Sequence, residues 1–139
     1  MANNVHEFNP VVYPFRLWVI KKPTNSDIKD NFYSIDNRYE TYDIDDDLLD
    51  RQSEKANAWV LPVARKDDKR LGALICIEEP RQMTVGKIAH EATHVVDWVC
   101  EHIDLKGFSY AEGEARAYLT GWVADCIDNV LKGKVKNNE

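Results

Sequence analysis

From Thr84 onward the apolar residues of this chain change period, and that change restricts the fold more than any other feature. Val85, Ile88, Ala92, Val95, Val96, Val99 and Ile103 recur every three or four positions, as on one face of an α-helix. Thr84 stands where a hydroxyl caps a first turn, so the pattern predicts a helix from there to about His102. A second stripe, Ala115, Leu119, Trp122, Val123, Cys126, Ile127 and Val130, predicts another helix over about Ala111 to Leu131. The run DLKGFSY, punctuated by Gly107, separates the two, and Gly133 closes the second before a lysine-rich tail expected to fray.

Ahead of Pro80 the pattern is that of strands. VVYPFRLWVIK at 11–21 is rich in β-formers, with its proline near the entry. AWVLPVAR at 58–65 reads as a second strand. LGALICIE at 71–78 reads as a buried third, after a hairpin turn in RKDDKR. Residues 23–57 are polar and predict loops with one short helix around Ile44 to Lys55. No repeat or low-complexity tract interrupts the chain. Strands followed by two long helices predict an α+β fold, a small antiparallel or mixed sheet packed on the helices. The 139 residues suit a single domain over 1–139, strand-rich from 10 to 80 and helical from 83 to 132.

Composition narrows the function. A formal net charge of -6 with scattered Lys and Arg argues against nucleic acid, whose phosphates need a basic surface. The acidic run YDIDDDLLD reads as a solvated loop or helix start. It lacks the glycine and terminal glutamate of a calcium loop. Cys76, Cys100 and Cys126 are odd in number, widely spaced and set in apolar stretches, so they read as small buried hydrophobes. The start MANNVHEFNP has neither a basic nor an apolar run, and no stretch approaches the ~20 apolar residues of a membrane span. A cytoplasmic protein is expected. Trp18, Trp59, Trp98 and Trp122 are expected to pack in core or cleft.

The chemistry concentrates in HEATHVVDW, residues 90–98. Positions i and i+4 share a helix face, so His90 and His94 can aim two imidazoles at one point. Glu91 lies roughly a third of a turn round, within reach of anything both rings hold. That is the arrangement of a Zn2+ ion with a general base beside it. A catalytic zinc needs a third protein ligand, and the last helix offers Glu114 or Glu112. Glu114 is preferred, because it shares a helix side with Ala117, Tyr118, Gly121 and Asp125, where small residues allow close approach. Glu112 falls in the first turn, where the helix dipole favours a carboxylate in any case. Glu91 would then take a proton from water attacking a carbonyl and hand it to the leaving amine. Tyr118, Tyr110, His102 and Arg116 are candidates for a further donor to the oxyanion, Tyr118 being the catalytic candidate alongside Glu91. Asp97 either orients an imidazole or forms a surface salt bridge. His6 and His102 read as isolated surface residues.

HEATH is the HExxH signature, and here the chain resembles the zincin metallopeptidases. The 19 residues between His94 and Glu114 resemble the gluzincin branch, in which a glutamate on the next helix completes the site. EARAY around Glu114 is similar to the corresponding run in small cytoplasmic zincins of the ImmA/IrrE type. VVYPFRLWVI ahead of HExxH and EARAYLTGW after it resemble short phage or prophage proteins. Tyr118 departs from the thermolysin-type pattern, which has an aspartate four residues after the third ligand. The resemblance implies zinc-dependent hydrolysis of a peptide or protein substrate. It also implies that the strand before the metal helix, here Leu71 to Glu78, lies along the cleft as an edge to which a peptide adds. A non-catalytic zinc-binding protein on the same scaffold, or a zinc amidase, are the alternatives.

Overall fold

The computed structural model describes residues 4–105 and 109–134. The strands are β1 (Val5–Phe8), β2 (Arg16–Lys21), β3 (Phe32–Ile35), β4 (Thr41–Asp43), β5 (Ala58–Arg65) and β6 (Leu71–Ile77). The helices are α1 (Asn25–Lys29), α2 (Asp46–Lys55), α3 (Val85–His102) and α4 (Glu114–Leu131). The strands form one mixed sheet in the order β1-β2-β6-β5-β3-β4, with β2 and β6 parallel and the other neighbours antiparallel. The α+β class holds.

Side chains alternate across the adjoining strands β2 and β6, and each side meets a different helix pair. Leu17 and Val19 of β2, with Ala73, Ile75 and Ile77 of β6, join Val95, Val96 and Val99 of α3 and Leu119, Val123 and Ile127 of α4. Trp18, Ile20, Leu74 and Cys76 point the other way, into a core with Ile28 of α1 and Leu49 of α2. A strand buried on both faces has no polar side to show, which is why LGALICI reads as unbroken apolar sequence. The expected edge position for this strand is therefore corrected. β6 is flanked by β2 and β5 along its length and has no free edge to offer a peptide.

The polar stretch 23–57 holds more structure than its composition suggests. Thr24 and Asp27 cap α1 reciprocally: Asp27 N donates to Thr24 Oγ1 at 3.2 Å and Thr24 N to Asp27 Oδ2 at 2.9 Å. The acidic run starts α2, with Leu48 N donating to Asp45 Oδ1 at 2.8 Å. The expected strand at 11–21 begins only at Arg16. Tight turns between the prolines, Val12 N to Pro10 O at 2.7 Å and Phe15 N to Tyr13 O at 2.9 Å, occupy the residues before it. The RKDDKR turn joins β5 to β6, with Arg65 N donating to Arg70 O at 2.9 Å. All three cysteines are free and buried, as expected of small hydrophobes. No described helix is long and apolar enough to cross a membrane.

Gly72 is the tightest point of this arrangement. A Cβ there would collide with the Arg16 carbonyl and the Trp18 ring of the adjoining β2. Both are held by the sheet, so Gly72→Ala is predicted to cost about 3 kcal/mol in urea unfolding. A loss under about 0.5 kcal/mol, within the range of an ordinary surface change, would contradict the β2–β6 register.

Candidate metal centre and groove

Thr84 starts α3, its hydroxyl accepting from Lys87 N at 3.2 Å. Eighteen residues follow without a proline or an internal break. Burial of Ala92, Val95, Val96 and Val99 fixes how the helix is rotated. His90, His94, Asp97 and Glu101 remain exposed. The two imidazoles converge: His90 Nε2 and His94 Nε2 lie 3.1 Å apart, with ring planes at 80°. Two nitrogens ligating one tetrahedral zinc at ~2.0–2.1 Å would stand about 3.3–3.4 Å apart. The pair is therefore close to the spacing a shared cation requires.

Glu91 is buried, with 6 % of its surface exposed. Its Oε2 has no hydrogen-bond partner among the described residues. Burial pushes its carboxyl above the usual carboxylate range, and the nearby His90 and His94 pull the other way. A shielded carboxylate without a donor is costly to a fold, and proteins rarely keep one without a use. The orphaned oxygen and the paired imidazoles are the features of this chain that fit a bound zinc.

Glu91 faces a groove between α3 and the first half of β5. Two hollows meet at Glu91 and Ala58. One, of about 300 Å³, is lined by Asn57, Met83, Gly86, Lys87 and His90. The other, of about 330 Å³, is lined by Trp59, Val60, Pro62, His94 and Trp98. Pro62 explains why the strand is accessible here. β3 pairs with β5 only from Val63 to Arg65. The next residue back is a proline with no N–H to continue the ladder. From Ala58 to Pro62, β5 is paired on the β6 side alone. The edge expected of the preceding strand falls instead to this half-strand.

Glu114 is the first residue of α4 and exposed, as are Ala117, Tyr118, Gly121 and Asp125. A Cβ on Gly121, in the middle of that face, would meet nothing within 4 Å among the described residues. Helix α4 packs instead through Leu119, Val123, Ile127 and Val130. Among the described residues no three His, Cys, Asp or Glu side chains gather as a metal cage. Glu112 ends a short 3-10 turn and is also exposed. Tyr110 and Tyr118 are exposed. Asp97 is a salt-bridge residue, its Oδ1 accepting from Arg116 at 2.8 Å.

His102 is not isolated, which corrects the reading of it as a lone surface residue. Its ring stacks on Trp98 with centroids 5.0 Å apart and planes at 6°, and its Nδ1 is 2.8 Å from Tyr39 Oη. The spacing of Trp98 and His102, one helical turn, was a signal available in the sequence. His6 is half-buried on β1, where burial and the Lys21 charge lower its pKa. Other groove residues, Asn57, Met83, Gly86 and Lys87, gave no sequence signal.

The raised carboxyl of Glu91 has a consequence for stability. The folded state holds this proton at pH values where the unfolded chain has already lost it, so stability falls as pH rises through that window. In the metal-free protein Glu91→Gln is predicted to raise the melting temperature at neutral pH. The gain should disappear below the ordinary carboxylate range, where both states are protonated. Thermal unfolding at pH 4 and pH 7.5 checks it, and an equal or lower melting temperature for the variant at pH 7.5 would contradict the burial assigned to Glu91. Compared with protein-family models, curated proteins and solved structures, the chain has no match.

Proposed function

We propose that the protein is a zinc-dependent peptidase in which His90 and His94 hold the metal and Glu91 is the general base. The observation that carries this reading is the pair of converging Nε2 atoms, 3.1 Å apart, beside a buried carboxylate oxygen with no partner among the described residues. Zinc held there supplies a Lewis acid that polarises a substrate carbonyl and acidifies water. Glu91 accepts the proton of the attacking water and delivers it to the leaving nitrogen. Its carboxylate lies where the two hollows of the groove meet, beside both histidines. The half-strand Ala58–Pro62 presents backbone groups along the same groove, so an extended peptide can add to it as a strand.

The third ligand in this reading is Glu114, with Glu112 as the alternative. Support comes from the neighbourhood: Arg116, two residues past Glu114, bonds Asp97, three residues past His94. The first turn of α4 is thus tied to the metal helix. Tyr118 is the proposed donor to the oxyanion. The reading places the protein in the cytoplasm, supported by three free, buried cysteines. Its partners are peptides or proteins, and the net charge of -6 argues against nucleic acid. One observation favours a second reading, a zinc-binding protein without turnover: a third ligand is not assembled among the described residues.

Zinc binding and turnover separate these readings. His94→Ala is predicted to abolish stoichiometric zinc binding, and Glu114→Ala to weaken it. Glu91→Gln is predicted to keep zinc while peptide hydrolysis falls by about 10²–10⁴-fold. Metal analysis of the dialysed proteins and a fluorogenic peptide pool measure both. Full activity of Glu91→Gln would refute the mechanism, and zinc binding with no cleavage by the unaltered protein would favour the second reading.

A further inference from the structure

The apolar half of the groove ends at Trp98, and the position of that ring is set by residues far away in sequence. Trp98 meets Phe15 edge-on in the core, with centroids 6.4 Å apart and planes at 81°. Its exposed side is covered by the His102 ring, stacked at 5.0 Å. His102 is in turn met by Tyr39, whose hydroxyl lies 2.8 Å from Nδ1 and whose ring stands at 67° to the imidazole. Tyr39 is 63 positions from His102 and belongs to the turn between β3 and β4.

That turn is built to present Tyr39. The Asp36 carboxylate accepts from Arg38 N at 2.8 Å, from Glu40 N at 3.0 Å and from Tyr42 Oη at 2.9 Å. The backbone closes with Tyr39 N donating to Asp36 O at 3.0 Å. Tyr39 itself is left-handed, with φ of 63°, a conformation a bulky residue adopts only when its surroundings hold it there. The hairpin is free to reach α3 because Pro62 stops β3 from pairing further along β5. Nothing in the proposed chemistry uses Tyr39 or His102, yet both are spent on one wall of the groove.

We infer that Tyr39 and His102 are positioning residues that fix the Trp98 ring and thereby make the His94-side hollow selective for a large apolar side chain. Apart from Glu91 and His94 at its inner end, the hollow is lined beside Trp98 by Ala58, Trp59, Val60 and Pro62, whose one side-chain donor, the Trp59 indole N–H, is already given to Glu78. A fixed indole facing them gains contact area and edge or face packing with an aromatic or branched side chain. A free indole would lose rotamer entropy on every binding event and discriminate less. The inference rests on the groove being the peptide site, so its test reads binding separately from turnover.

The probes are acetylated, amidated hexapeptides on an alanine–serine background, with one phenylalanine moved through the six positions. Binding is measured by calorimetry on full-length Glu91→Gln protein, with and without zinc, and cleavage on the unaltered protein. The best phenylalanine peptide is expected to bind about tenfold tighter than its parent. Tyr39→Phe and His102→Leu, each added to that protein, are expected to shrink this ratio by about three- to tenfold while affinity for the parent and the melting temperature hold. His102→Phe keeps a ring over Trp98 and should restore part of the ratio. A ratio unchanged in both variants overturns the inference, and so does an equal loss of affinity for all peptides with a lowered melting temperature. Cleavage with an unchanged ratio removes the inference and leaves the peptidase reading. A ratio lost as expected without any cleavage does the reverse, and no binding with no cleavage removes both.

Discussion

The candidate site depends on one packing constraint, the burial of Ala92, Val95, Val96 and Val99 of α3 against Leu17, Val19, Ala73, Ile75 and Ile77 of the sheet. Turning the helix by one residue, about 100°, would drive His90 or His94 toward that layer and bring valines to the surface. Burying each valine stabilises the fold by about 1.5–3 kcal/mol, so several together leave the helix one orientation. The histidines do not have to find each other. The core rotates the helix so that both rings emerge on one exposed line, and i, i+4 geometry brings their Nε2 atoms together. The same rotation places Glu91 at the boundary, too buried for solvent to satisfy and still open to the groove. In the proposed mechanism stability and chemistry would oppose each other at this residue, as they commonly do where a local rule is broken at a functional position.

The sheet sets the second wall. A continuous β3–β5 ladder would cover the strand beside α3, and Pro62 prevents that by lacking a single N–H. The open half-strand is therefore an interior strand unpaired for part of its length, which leaves backbone exposed over a few residues only. A long free edge would invite association between copies, whereas a short one flanked by a helix is protected. The hairpin released by Pro62 then folds toward the end of α3, where Tyr39 meets His102. One residue without a donor thus both opens the groove and frees the element that bounds it.

What could be read in the sequence was local. Helix α3, its threonine cap and the histidine pair lie within one amphipathic segment, so the 3.6-residue period displays them together. Helix α4 was legible for the same reason, although its first turn begins at Glu114 rather than Ala111. Strands β1, β3 and β4 span three or four residues each, too few to show a period. The edge position that the resemblance implies for β6 fails because β2, more than fifty residues earlier, pairs along it, as Trp18 with Leu74. Pattern alone shows that LGALICI is buried on both faces, but not that both edges are taken. Tyr39 with His102 was invisible for a similar reason, since no local signal links them. The relation of Glu114 to the histidines depends on how α4 is set against α3. The connection that sets it includes residues 106–108, outside the described residues.

The most direct test of the metal-centred account is the zinc K-edge X-ray absorption spectrum of the protein loaded with one equivalent of zinc. The account predicts scattering from two imidazoles, with first-shell nitrogen and oxygen at about 2.0–2.1 Å and the outer-shell features of histidine rings. That signature should be lost in His90→Ala and His94→Ala. A spectrum of hydrated or carboxylate-only zinc, unchanged by either substitution, would contradict it.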